Sequence, residues 1–247
     1  MNLLLLQPGD FLDARRVRLQ GRRLLHVQEV HRARVGDDLR VGLLDGPMGR
    51  GRVLRLDAEG LDLEVELSEP PPAKLPLSLV LALPRPKVLN RVLAAASSLG
   101  VARIVLVNAW KVEKTYWKSP RMDPDSLRLH LLLGLEQGRD TVLPELRVER
   151  LFRPFVEDAL PAWQGSALGL LAHPGDPFAC PRRLQEPCVV EIGPEGGWID
   201  AERARQMMDA LLHGVSRSGT RYAILDITGV KDIDTQAANA LLGAVRA

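Results

Sequence analysis

The stretch 193-GPEGGW-198 sets three glycines and one proline directly behind the apolar run 188-CVVEI-192. Glycine has no Cβ, so backbone N–H groups in such a loop can come close to a ligand, and Pro194 fixes one dihedral and pre-shapes the turn. Ligands of parallel α/β sheets bind at the carboxyl ends of strands, which is where this loop is expected to fall. The competing reading is a tight turn that needs glycine only for its own backbone. The spacing does not match G-x-G-x-x-G and lacks the Lys-Ser/Thr of a phosphate-binding loop, which argues against a nucleotide di- or triphosphate. Glu195 is placed to accept a hydrogen bond from a ligand or to brace the loop.

A second constellation is cationic. Arg15, Arg16, Arg18, Arg22, Arg23, Arg32 and Arg34, with His26 and His31, face a single acid, Glu29, while the whole chain carries a formal net charge of only +2. Guanidinium forks match phosphate oxygens, and a local cationic field attracts polyanions by counterion release. The segment therefore predicts nucleic-acid contact, against the plainer reading of a solvated arginine-rich surface. Metal chemistry finds no support, because Cys180 and Cys188 have no His or Cys at ligand spacing and read as buried or idle thiols.

These residues need a scaffold. The 247 residues, 46% hydrophobic, suffice for one large or two modest domains with a real core. Leu3 to Leu6 is too short for a membrane span and lacks the basic flank of a secretory signal, so the chain reads as cytoplasmic, with no membrane partner. Short alternating runs (39-LRVGLLDG-46, 51-GRVLRLDAEG-60, 61-LDLEVELS-68) predict a small β-rich domain over 1–72, closed off by the stiff linker 69-EPPPAKLP-76. Beyond it strands and helices alternate. Strands are expected at 77–84, 103–109, 167–174 and 188–193, with a short segment at 145–150, and helices at 87–100, 123–140 and 154–163. Continuous apolar strands between helices imply a parallel sheet covered on both faces, so 73–247 is an α/β domain.

The string IGPEGGW after an apolar strand, together with 170-LLAHP-174, 82-ALPRPKVLNRVLAAASSLGVARIVLVNAWKVEKTYW-117 and 134-GLEQGRDTVLPEL-146, resembles the RsmE family of SPOUT-class methyltransferases. The stretch 31-HRARVGDDLRVGLLDGPMG-49 is similar to that family's PUA-like RNA-binding β-barrel. The likeness covers about residues 1–200. It departs at 95-AASSLG-100, where the family's Lys-Ala-Thr-Glu-Leu-Gly loses its Lys and Glu. The resemblance implies S-adenosylmethionine as cofactor, held by Leu171, His173, Ile192, Gly193, Pro194, Glu195, Gly196 and Gly197. It implies methylation of N3 of a uracil in 16S ribosomal RNA of the small ribosomal subunit, with Arg15, Arg16, Arg18, Arg22, Arg23, His31, Arg32 and Arg34 on the RNA. Family members are dimers, although the helix that joins them lies in the part described next. The catalytic base is not identified.

From about residue 200 the family pattern stops. The segment 224-ILDITGVKDIDTQAANALLGAVRA-247 resembles the middle of a STAS domain of the RsbR/RsbS kind, which implies a hybrid chain of natural or engineered origin. Its pattern still offers helix, strand and helix. Asp200 is a cap for the first helix, Ala204, Met207, Met208, Leu211, Leu212 and Val215 share one face, and 222-YAILDITGV-230 is an expected strand beside 189-VVEI-192. The STAS likeness implies a phosphate acceptor at Thr235 or Thr228, against the plainer role of helix cap for Thr235. In place of the family's tail, with its Arg and Glu-Thr, stand Asp226, Thr228, Lys231, Asp232, Asp234 and Thr235. This predicts an unknotted end, weakened cofactor binding and, as the alternative function, a non-catalytic RNA-binding or STAS-type interaction protein.

Overall fold

The computed structural model describes residues 2–173, 184, 186–194 and, as backbone, 222–226. Two sheets divide the chain. The first is a curled five-stranded sheet in the order β1-β3-β4-β5-β2, built from β1 (Leu4–Leu6), β2 (Arg16–Leu19), β3 (Asp38–Leu43), β4 (Met48–Leu56) and β5 (Leu61–Glu69). Only β1 and β3 run parallel. Alternation explains the long pair: Val53, Leu61, Leu63 and Val65 point into a core with Val17, Leu19 and Val41, while Arg50, Arg52, Glu64 and Glu66 point out. Asp57 holds the β4–β5 turn by accepting from the backbone N–H of Glu59 at 2.9 Å and of Gly60 at 3.1 Å. The leucine run at the N-terminus is β1, buried on both faces. Between β2 and β3 the chain forms α1 (Arg22–His26), continued as a π-helical turn over Val27–His31, neither of which the sequence pattern revealed.

The second sheet is parallel throughout, in the order β11-β9-β10-β6-β7-β8. It is formed by β6 (Leu75–Ala82), β7 (Val101–Val107), β8 (Glu145–Glu149), β9 (Leu168–His173), β10 (Cys188–Ile192) and β11 (Tyr222–Asp226). Between them run α2 (Pro86–Ser98), α3 (Pro124–Gly138), α4 (Phe152–Pro154) and, after a π-helical turn, α5 (Leu160–Gln164). Asp123 caps α3 by accepting from the Asp125 N–H at 3.0 Å. The strands and helices expected between residues 77 and 193 are all present, within a few residues of their predicted limits.

One expectation changes. The strand at 222–226 pairs with β9, not with β10. β10 lies between β9 and β6 and hydrogen-bonds to both, so it has no free edge, whereas the outer edge of β9 is open to another strand. The helices expected around it, together with Thr228, Lys231, Asp232, Asp234 and Thr235, lie outside the described residues, as does Cys180.

The end of α3 and the residues after it clasp the two sheets together. Leu135 packs with Leu3, Leu5 and Met48. The Asn2 N–H donates to the Glu136 carbonyl at 3.0 Å, and the Asp45 N–H to that of Thr141 at 2.8 Å. Thr141 Oγ1 donates to the Gly46 carbonyl at 2.6 Å, and the Leu143 N–H to Asp45 Oδ1 at 2.8 Å. Two ion pairs close the seam: Arg22 to Glu136, 2.8 Å on both arms, and Lys74 to Asp140, 2.6 Å. The segment 136-EQGRDTVL-143 is thus the hinge plate that fixes the curled sheet against the parallel one.

Ion pairs across the curled sheet give it a pH signature. The Arg18 guanidinium hydrogen-bonds Asp62 at 2.7 and 2.8 Å and holds that carboxyl below the usual aspartate range; Arg40 does the same to Glu69. A carboxyl whose folded pKa is depressed contributes stability above its unfolded pKa and loses it as pH falls through the folded value. The urea midpoint is therefore expected to fall as pH drops below about 5, where free carboxylates begin to protonate, and to go on falling until these paired ones protonate too. Asp62→Asn should flatten that fall, and an unchanged pH profile in the variant would contradict this assignment.

Candidate functional site

The crevice follows from the strand order. After β6 the chain leaves toward β7 on one side, and after β10, its neighbour, it leaves toward β11 on the other. Adjacent strands whose exits diverge open a gap at their carboxyl ends, the place where ligands enter doubly wound sheets. Register keeps these ends level: Ile192 lies opposite Leu81 of β6 and Ala172 of β9. Gly193 and Pro194, buried, come immediately after, beside the last residue of β9, His173.

Leu171 and Ile192 are buried at 7% and 1% exposure on opposite faces of the sheet, since Leu171 pairs with Glu191 and Ile192 with Ala172, and Gly193 and Pro194 follow at the strand end. His173 is placed by its backbone, and Glu195, Gly196 and Gly197 lie outside the described residues. A Cβ-free buried residue at the end of a mostly apolar strand fits a ligand with a flat heterocycle that asks for backbone hydrogen bonds. Pattern reading overlooked Glu191, a carboxylate at 3% exposure in the middle of β10, one residue pair ahead of Gly193 on the same face of the strand. Its signal was visible as the only charge in 188-CVVEIG-193.

The structure splits the cationic segment in two. Arg18, Arg22 and Arg23 are committed within the protein, to Asp62, to Glu136, and to Asp10 with the Leu5 carbonyl. Arg15, Arg16, His31, Arg32 and Arg34 are exposed. Arg15 and Arg16 sit on a turn that Asp13 closes by accepting both their backbone N–H groups at 2.8 Å, which holds the Asp13 carboxyl below its ordinary range. Arg15 also borders a groove of about 680 Å³ with Arg50 and Arg52, but Asp38, Glu64 and Glu66 line the same groove, so its charge is balanced and it offers a polyanion little. Among the described residues no group of His, Cys, Asp and Glu is placed to hold a metal ion, and no helix is long and apolar enough to cross a membrane.

A parallel sheet with a glycine-rimmed crevice at its carboxyl edge, bearing a small curled sheet on its flank, defines an α/β ligand-binding enzyme body. Residues 71–210 match the RNA methyltransferase domain, and the chain belongs to that family. The ribosomal RNA small subunit methyltransferase E of Treponema pallidum is 27% identical over 219 residues, covering 82% of this chain and 79% of that protein. Two solved structures share the fold. A Legionella pneumophila methyltransferase in complex with the bound cofactor SAM aligns with a TM-score of 0.67 at 21% identity, over 99% of this chain and 96% of that one. The ribosomal RNA small subunit methyltransferase E of Neisseria gonorrhoeae, bound to S-adenosyl methionine, aligns with a TM-score of 0.64 at 18% identity, over 99% and 97%. The chain therefore shares the fold of these methyltransferases. A separate, short similarity of 38% over 58 residues links the chain to the RsbT co-antagonist protein RsbRA of Bacillus subtilis, covering 24% of this chain and 21% of that protein.

Proposed function

We propose that this RNA methyltransferase uses S-adenosylmethionine to methylate N3 of a uracil in 16S ribosomal RNA of the small subunit. The observation that carries the reading is the diverging pair β6 and β10 with buried Gly193 and Pro194 at its mouth, in a chain of this family. S-adenosylmethionine, when bound, supplies a methyl group on a sulfonium that is ready for displacement. Gly193 would offer its backbone N–H to the adenosine at the end of β10. Uracil N3 carries a proton at neutral pH, so the site must both aim the ring nitrogen in line with the methyl carbon and let that proton go. The curled sheet, read as PUA-like, would present Arg15, Arg16, His31, Arg32 and Arg34 to RNA phosphates and so help to offset the cost of drawing a base from structured RNA.

The test is transfer of labelled methyl from saturating cofactor to isolated small subunits. Label at a single uracil N3 is the expected result; none would leave only the non-catalytic RNA-binding reading. Saturating cofactor matters, because the altered segment after residue 200 is expected to weaken cofactor affinity. A second reading, that this segment acts as a STAS-type interaction element with Thr235 or Thr228 phosphorylated, is supported by the similarity to RsbRA. Incubation with a STAS-directed kinase and mapping of the phosphate tests it; label elsewhere or none would eliminate it.

A further inference from the structure

β7 delivers the chain to the same carboxyl edge as Gly193, two strand positions from β10, about 10 Å at a spacing of about 4.8 Å per strand. The loop it enters, 109-AWKVEKTYWKSPRM-122, holds two of the chain's four tryptophans and one of its two tyrosines, threaded with Lys111, Lys114, Lys118 and Arg121 against Glu113 alone. Aromatics and amines interleaved in this way suit single-stranded nucleic acid, whose bases stack while its phosphates pair with cations. The composition alone would also fit a loop that merely packs.

The geometry separates the two roles along the loop. Ala109 and Val112 are buried, and Tyr116, Trp117 and Met122 pack against the main core. Trp117 Nε1 donates to Asn108 Oδ1 at 3.0 Å, and the Arg150 guanidinium lies 5.5 Å from the Trp117 ring centre. The Val112 N–H donates to the Ala109 carbonyl at 3.0 Å, which closes a turn with Trp110 and Lys111 at its tip. Trp110 is 77% exposed, more than any other large apolar side chain among the described residues. A largely exposed indole on a turn that is pinned on both sides, at the same sheet edge as Gly193, has little conformational freedom to lose on binding.

We propose that Trp110 is a stacking platform for an unpaired base of the RNA substrate and that Lys111 and Lys114 hold the adjoining phosphates. This rests on the reading of the protein as an RNA methyltransferase and adds a second RNA contact, on the parallel-sheet domain, to the arginines of the curled sheet. The separation of about 10 Å between β10 and β7 at this edge assigns the stacked base to a nucleotide near the target, with the target itself over the crevice. Both contacts act before chemistry, so they belong to substrate binding and raise KM when lost.

The experiment uses the full chain and a fluorescein-labelled single-stranded RNA oligonucleotide, with affinity read by anisotropy across a salt series. Trp110→Ala is expected to weaken binding about tenfold and Trp110→Phe to restore most of it, since base stacking on an aromatic face tolerates a change of ring. Lys111→Ala with Lys114→Ala should lower the salt slope by about 1.4, the contribution of two phosphates on a single strand. With small subunits as substrate, Trp110→Ala should raise KM and leave kcat within about twofold, and its melting temperature should match that of the wild type. Unchanged RNA affinity in Trp110→Ala overturns the proposal, as does a dimer that the variant converts to monomer with RNA affinity intact, because Trp110 would then serve contact between copies. A wild type that transfers no methyl, but whose RNA binding still depends on Trp110, leaves the platform standing and removes only the catalytic reading.

Discussion

Gly134→Val is expected to lower the unfolding free energy by about 3 kcal/mol or more, with a drop in melting temperature of about 10 °C. In an ordinary helix the exchange of glycine for a residue with a side chain is favourable or nearly neutral, because glycine costs up to about 1 kcal/mol of helix stability. Packing reverses the sign. A Cβ at Gly134 would lie 2.3 Å from the Ala94 carbonyl oxygen and 2.6 Å from Ser97 Cβ, and one at Gly138 would lie 2.3 Å from the Ser98 carbonyl oxygen. The first and last of these contacts are backbone, which has no rotamer with which to give way. α2 and α3 therefore cross at a seam only glycine permits, reinforced by the Ser97 hydroxyl donating to the Leu131 carbonyl at 2.8 Å. Gly9→Ala, with nothing within 4 Å of the new Cβ, is the matched control and should leave the melting curve in place. Equal melting curves for Gly134→Val and wild type would contradict the close crossing.

Arg22→Ala is the second large effect, and its asymmetry is the informative part. Glu136 is 3% exposed and Arg22 46%. Removing the arginine strands a buried carboxylate, at a cost of about 2 kcal/mol; the 3–5 kcal/mol of a wholly buried pair is discounted because water reaches the arginine side. Removing the carboxylate instead, as Glu136→Leu, leaves an arginine that turns to solvent and costs under about 1 kcal/mol. The seam joins the curled sheet to the parallel one, so Arg22→Ala should also reduce methyl transfer to small subunits by about tenfold or more, since misplacement of about an ångström costs rates of this order and above. Cofactor binding at the proposed mouth between β6 and β10 should not change. Urea unfolding of the two single variants and of the double variant Arg22→Leu/Glu136→Leu measures this; equal costs for the two single changes would contradict it.

The parallel domain was legible because its signals are local. Runs such as 103-RIVLVNA-109 are long, apolar and bounded by turn residues, and Pro124 behind Asp123 marks the start of α3. The end of β10 at Gly193 and Pro194 was legible for a similar reason, while the rest of the glycine loop lies outside the described residues. What escaped were features set by partners distant in sequence. β2 is four residues long and is a strand because Leu61–Glu64 pair with it, while α1 carries its arginines toward acids at positions 10 and 136. The arginine cluster looked uniform in the sequence, yet three of its members hold the fold together. The neighbour of β11 escaped as well, because strand order depends on which edge remains open once β10 has filled the gap between β9 and β6.

The most direct measurement of the central claim is a crystal structure grown with excess S-adenosylmethionine. The account predicts the adenosine at the mouth between β6 and β10, with the Gly193 backbone N–H turned toward it. Cofactor bound anywhere else, or a mouth filled by side chains at saturating concentration, would contradict it.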